Sequence, residues 1–279
     1  MKAHKKRNMI LLCLGVLTVL LVTWIIWSNL ALETSYYTIS NPKIPGAFSG
    51  FRIVHISDLH NAKFGHDNES LLKAIENEKP DMIVITGDLV DSRNTNFQIA
   101  ESFAAKAAEI APTYYITGNH EARLQEYPEF EQALIRAGVT VLNDEAVWIE
   151  RKGEKIQLIG LQDPGIRKKA SQLSGEEILK TLKEENYSIL LSHDPGNFPI
   201  FERCGVDLAL TGHVHGGQFR LPFIGGLYAP GQGLFPKYDA GLYTENQTQM
   251  IISRGLGNSA FPFRINNRPE IVVIELKSE

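Results

Sequence analysis

The 279-residue chain has only two cysteines, Cys13 and Cys204. The first lies in an apolar run and the second in the body, so no bridge between them is expected and the fold must hold without one. No acidic residue precedes Glu33, whereas Lys2, Lys5, Lys6 and Arg7 all do. Without those four, 24 basic residues face 32 acidic ones. The body therefore lacks a positive excess, which argues against general nucleic-acid binding, since that rests on neutralising phosphates with Lys and Arg. A single small phosphorylated substrate is still allowed. Internal repeats and low-complexity tracts are absent. At 43% hydrophobic and 22% charged residues, the chain is neither disordered nor fibrous in character.

Long apolar runs are absent with one exception, Met9 to Trp27, which carries no charge. As a helix it would extend ~28 Å at ~1.5 Å per residue, about the thickness of a hydrocarbon core. Trp24 and Trp27 stand at its outer end, where amphipathic rings favour the interface, and the basic cluster should remain cytoplasmic. The body would then lie on the extracytoplasmic side of the cell membrane, tethered by a single-pass anchor. A cleaved signal peptide is the competing reading, but the run is long and no small-x-small site follows it directly. The expected organisation is residues 1–30 as basic head and transmembrane anchor, 31–50 as linker and 51–279 as one domain.

Within the body, Phe51–Ser57, Asp81–Thr86 and Thr113–Thr117 read as strands, separated by helices over Glu69–Glu78 and Phe97–Ile110. This alternation predicts α/β layering with a mainly parallel core. Further strands are expected at Val147–Glu150, Lys155–Leu161, Tyr187–Ser192, Val206–Thr211, Gln249–Ser253 and Glu270–Leu276. Ser174 and Glu177 fit a capping box that opens a helix over Gly175–Glu185. Residues 212–248, rich in Gly and Pro, read as long loops.

Candidate site residues cluster just after strands: Asp58 and His60, Asp88, Asn119 and His120, His193, then His213 and His215. The carboxyl ends of strands in open α/β sheets are where ligands gather. In Asp58-x-His60 and His213-x-His215, an extended backbone would send both side chains to one side. Gly87, Gly118 and Gly212 precede site residues and permit tight turns. Imidazole mixed with hard oxygen suits Mn, Zn or Fe. His55 reads as a core residue and His66 as a loop residue. Asp91 and Glu121 could orient a histidine or simply cap a turn. Arg220 fits either a substrate phosphate or a salt bridge. Leu234–Phe235 and Phe261–Phe263 read first as core packing, with the lining of a substrate cleft or a contact with lipid as the alternatives.

The series DLH, GDLVD, GNHE, SHD and GHVH, in this order over residues 58 to 215, resembles the calcineurin-like metallophosphoesterase family. The stretches GHVHGGQFRLP, YAPGQGLFPKYDAGLY and SRGLGNSAFPFR are similar to a bacterial membrane-associated branch related to hydrolases of UDP-diacylglucosamine. The resemblance implies two central mixed β-sheets sandwiched between helices, besides the N-terminal transmembrane helix. It implies two divalent ions, with Asp58, His60 and His215 holding one, Asp88 bridging, and Asn119, His193 and His213 completing the other. His120 would contact phosphate and assist the leaving oxygen. Such an ion pair activates water and clamps phosphate oxygens. The implied activity is hydrolysis of a phosphodiester, pyrophosphate or phosphomonoester, in a small or lipid-linked cell-envelope molecule. A membrane-tethered metal-binding module without hydrolysis is the alternative. Oligomeric state is open.

Overall fold

The computed structural model describes residues 2–170, 172–258 and 261–279. Ser259 and Ala260, inside the SRGLGNSAFPFR stretch, lie outside the described residues. Helix α1 (Lys2–Leu30) is long and apolar enough to cross a membrane. Its apolar side chains are exposed along most of its length, and only its last turn meets the body, where Ser28 is buried.

One six-stranded sheet has the order β1 (Glu33–Asn41), β16 (Glu270–Ser278), β2 (Arg52–Ile56), β3 (Met82–Thr86), β4 (Thr113–Ile116), β5 (Thr140–Val141). The other runs β14 (Gly241–Glu245), β15 (Thr248–Ile252), β9 (Leu208–Thr211), β8 (Ser188–Leu191), β7 (Glu154–Gly160), β6 (Glu145–Arg151). β2 to β5 are mutually parallel, as are β7, β8, β9 and β15, while β16 runs against β2, and β6 and β14 run against their neighbours. Both sheets are thus mixed around a parallel centre. Short ribbons β10 (Arg220–Leu221) with β11 (Gly225–Gly226), and β12 (Tyr228–Ala229) with β13 (Gly233–Leu234), occupy the segment read as loops.

The layering follows from side-chain alternation. Ile53, Val84 and Ile116 face inward against Ile156, Leu158, Ile189 and Leu210 of the second sheet. Val54, Ile83 and Ile85 face outward onto α2 (Glu69–Asn77), α3 (Phe97–Ile110) and α4 (Tyr127–Arg136). On the far side, Ile159, Leu190 and Ile252 pack against α6 (Gly175–Leu182) and α7 (Phe198–Arg203). A further helix, α5 (Pro164–Ala170), follows β7. The result is two mixed sheets between helical layers, as expected. The capping box is present at α6: Ser174 accepts from the Glu177 N–H while Glu177 accepts from the Ser174 N–H.

The reading of 31–50 as linker needs correction. Glu33–Asn41 forms an edge strand paired in parallel with β16 along its length. Ile44 and Phe48, which follow it, are buried between the sheets. Its polar, aromatic pattern is that of a strand with one solvated face.

Candidate metal centre

Every site residue picked out by its place after a strand reaches one edge of the paired sheets. Asp58 and His60 follow β2, Asp88 follows β3, Asn119 and His120 follow β4, His193 follows β8, and His213 and His215 follow β9. The sheets bring their parallel centres to the same side, so five separate strand ends converge.

Two clusters form. Asp58 Oδ1 lies 3.4 Å from His215 Nε2 and 3.7 Å from His60 Nε2, and these two ring nitrogens stand 3.2 Å apart. In the second, His193 Nε2 is 3.3 Å from Asp88 Oδ2 and 3.2 Å from both Asn119 Oδ1 and His213 Nδ1. Asp88 Oδ2 joins them, since it also lies 3.5 Å from His60 Nε2.

The donor set fits bound cations. Asp58 Oδ1 is buried and has no hydrogen-bond partner. His193 Nδ1 donates to the Thr86 carbonyl at 2.6 Å, which leaves the Nε2 lone pair facing a carboxylate and an amide oxygen. Acceptors gathered this way need a proton or a metal ion between them. The titration behaviour has the same cause. Burial works against charge on His193, but Asp88 outweighs it and holds its pKa well above the usual range. Burial likewise works against ionised Asp58, yet His215 and His60 keep it well below the usual carboxylate range.

The backbone route to this convergence differs from the extended one expected. Asp58, His60, Asp88, His213 and His215 all have positive φ, between 46° and 71°. Left-handed conformations in non-glycine residues cost of order ~1–3 kcal/mol each and gather at functional sites. Here they turn candidate site residues inward just after β2, β3 and β9. The turns also press on one another. A Cβ at Gly118 would lie 2.2 Å from Asp88 Oδ1, and one at Gly212 would lie 1.9 Å from Ser57 Oγ.

Around the clusters the roles divide. The Ser92 N–H donates to His120 Nδ1 at 3.0 Å, so the ring proton sits on Nε2, which faces Asp88 Oδ2 at 4.0 Å. Burial lowers the His120 pKa to about 4, making it a neutral N–H donor near pH 7 instead of a stored proton. Asp91 Oδ1 is 3.4 Å from the same Nδ1 but is engaged mainly by Arg93. Glu121 orients no histidine. Fully buried, it accepts from the N–H groups of Asp88, Val90 and Gly118, tying the β3 and β4 turns together. His55 is a core residue, bonded to the Thr86 hydroxyl at 2.8 Å, while His66 is exposed but opens a 3₁₀ turn, His66–Asn68, where a loop was expected. Arg220 forms a salt bridge to Asp239 at 3.0 Å.

Sequence reasoning missed Ser92, Thr86 and Arg264. Ser92 meets His120 Nδ1 with both its main-chain N–H and, at 3.1 Å, its hydroxyl, and it stands outside the strand-end pattern that marked the other residues. Arg264 is fully buried, and among the described residues no carboxylate forms a salt bridge with it. It donates to the carbonyls of Arg254 and Gly257, and one Nη lies 3.4 Å from His215 Nδ1. Burial lowers its pKa only to about 10, so it stays charged and braces the loop behind the first cluster.

A sequence profile described as Calcineurin-like phosphoesterase matches residues 51–217. The chain belongs to that family. The metallophosphoesterase domain of this chain is similar to three curated proteins in particular. An uncharacterized metallophosphoesterase, YkuE, of Bacillus subtilis is 32% identical over 88% of this chain and 86% of its own length. The phosphodiesterase YaeI of Escherichia coli is 31% identical, covering 81% and 82%. A transmembrane protein with metallophosphoesterase domain from Danio rerio is 29% identical over 84% of this chain and 55% of its own length. Membership makes this metallophosphoesterase a hydrolase, and the buried His/Asp clusters are its candidate metal ligands.

Proposed function

We propose that this chain is a membrane-anchored hydrolase of phosphate esters that works with two divalent ions. Asp58, His60 and His215 are assigned to one ion, and Asn119, His193 and His213 to the other, with Asp88 shared. The observation that carries this reading is the position of Asp88 Oδ2, within 3.5 Å of His60 Nε2 and 3.3 Å of His193 Nε2. When bound, such a pair supplies activated water and positive charge for the developing phosphoryl oxygens. The chain's own residues do the positioning. Thr86 fixes the His193 tautomer, a role commonly filled by a carbonyl behind a ligating imidazole. His120 offers its Nε2–H to a phosphate oxygen, where a donor aimed at developing charge stabilises the transition state.

α1 is proposed as a retained anchor with the catalytic domain outside the cytoplasmic membrane, in keeping with the basic residues at its start. Mn, Zn or Fe suits the mixed imidazole and oxygen set. A lipid-linked or cell-envelope phosphate is the proposed substrate, on the likeness of residues 212–264 to the membrane-associated branch.

The test uses the full chain in detergent, stripped of metal and assayed on a chromogenic phosphomonoester and a phosphodiester with each ion in turn. Hydrolysis restored by metal and lost in Asp88→Asn and His120→Asn is expected. Equal turnover in Asp88→Asn would overturn the assignment.

A further inference from the structure

Eight of the twelve exposed large hydrophobic residues outside α1, among the described residues, fall in segments 221–235 and 261–263. Phe223, at the tip of the β10–β11 ribbon, is fully exposed, and Ile224, Leu234, Phe235, Phe261 and Phe263 are also exposed. The segments form one patch. The Leu227 N–H donates to Phe219 O at 2.8 Å and the Phe235 N–H to Leu227 O at 2.9 Å. The Phe219 ring packs on Phe261 and Phe263 at 5.2 and 5.5 Å between centroids. The core-packing expectation for Leu234–Phe235 and Phe261–Phe263 therefore fails, and an apolar patch concentrated in this way marks an interaction surface.

The anchor sets where that patch sits. Asn29, in the last turn of α1, pairs with the main chain of Arg264: its Oδ1 accepts from the Arg264 N–H at 2.8 Å and its Nδ2 donates to the carbonyl at 3.1 Å. The Arg268 guanidinium lies 4.7 Å over the Trp27 ring and also donates to the Ala31 carbonyl. Beside this clamp, Ile25, Ile26 and Asn29 line the same recess of about 440 Å³ as Phe64, Pro262 and Phe263. The 261–263 loop thus stands level with Ile25 and Ile26, about one residue rise (~1.5 Å) from Trp24 and Trp27, at the depth where aromatic rings settle.

Strand register leads to the same side. β1 starts directly after α1 with Glu33 opposite Glu270, and β16 places Val272 opposite His55, next to the end of β2. The sheet edge that carries Asp58 and His60 is therefore the edge from which the anchor enters.

We infer that the patch formed by residues 221–235 and 261–263 is a second membrane contact, seated in the interfacial layer of the bilayer that α1 spans, with the metal centre held facing that surface. This rests on the anchoring reading above. The partner is the lipid itself. Arg220 in β10 and Lys237 just after β13 are paired with Asp239 and Glu245, so apolar insertion drives the contact and added salt leaves it in place.

The test places one environment-sensitive fluorophore at a time on the full chain, with Cys13 and Cys204 replaced by serine. The chain is reconstituted in phosphatidylglycerol vesicles with or without brominated phosphatidylcholine. Labels go at Val16→Cys in the anchor, at Phe223→Cys and Phe261→Cys in the patch, and at Gln247→Cys. Gln247 shares a recess with Lys43, beyond the far end of β1, roughly 26 Å from its start at ~3.3 Å per residue. Labels at 16, 223 and 261 are expected to lose emission to brominated lipid and resist aqueous iodide, while the label at 247 does the reverse. Quenching at 16 with 223 and 261 behaving like 247 would overturn the second contact and leave the anchor intact. No lipid quenching at 16 would remove the anchoring reading and this inference with it.

Discussion

Asp88 holds its two carboxylate oxygens to different tasks. Oδ1 accepts the His120 N–H at 2.8 Å, which sets the turn after β4, and Oδ2 faces the imidazoles of both clusters. Asp88→Asn keeps the volume but removes the shared charge. Loss of residues that merely support a ligand costs ~10–100-fold, so kcat/KM should fall by at least ~100-fold, with bound metal, measured by elemental analysis, falling alongside. Unchanged metal content with unchanged turnover would remove Asp88 from the centre. Glu121 gives a pH signature. Burial first, then the Asp88 carboxylate, push its pKa up to about 7 from an ordinary 4.5. Between those values the unfolded chain binds fewer protons at this carboxyl than the folded one, so its contribution to stability falls as pH rises. In metal-free protein, the melting-temperature advantage of wild type over Glu121→Gln should shrink from pH ~4.5 to ~7. An advantage that grows across that window would contradict the raised pKa.

At the scale of elements, strands and helices with strong apolar content were legible in the sequence, and so was the gathering of the candidate site residues at one sheet edge, because each follows such a strand. Met82–Thr86 and Leu208–Thr211 are wholly buried runs, which short apolar segments bounded by turn residues signal well. The edge strand Glu33–Asn41 was not legible, since only Ile39 is buried and its place depends on pairing with β16. The same holds for α4, whose Tyr127, Phe130 and Leu134 meet the core from an otherwise polar segment, and for the ribbons, whose pairs are only two residues long. The left-handed turns that aim the candidate site residues depend on contacts between strand ends, as at Gly118 against Asp88, so local spacing could not reveal them. The capping box at α6 is a purely local feature, and its test separates stability from chemistry. Ser174→Ala should cost about 1 kcal/mol, the usual loss on removing such a cap, read by urea unfolding, with kcat/KM unchanged. A large loss of turnover would tie α6 to the site. Gly118→Ala should do the opposite, lowering metal content because the new Cβ has no space beside Asp88 Oδ1.

Across the whole molecule, α1 and the edge that carries the candidate site are one connected structure. A helix that served only as a tether would need no polar contact with the domain. Asn29 instead closes a two-way pair with Arg264 and accepts a third bond from Asn258 at 3.2 Å. Arg264 in turn holds the carbonyls of Arg254 and Gly257, and the Gly257 N–H donates to Asp58 O at 2.6 Å. Arg264 and Gly257 thus link Asn29, in the last turn of α1, to Asp58 of the candidate metal centre. Asn29→Ala removes the pair and leaves the apolar run untouched. With each such bond contributing ~0.5–1.5 kcal/mol, the full chain in detergent should lose about 1–3 kcal/mol of stability. Its hydrolysis of a soluble chromogenic ester should need a higher metal concentration, while its partition into membranes stays the same. Wild-type melting and wild-type metal dependence in this variant would make the helix a tether alone. A higher metal requirement would mean that the contact of α1 with the domain supports the candidate metal site, so that a domain cut free of α1 would be a poorer enzyme than the full chain.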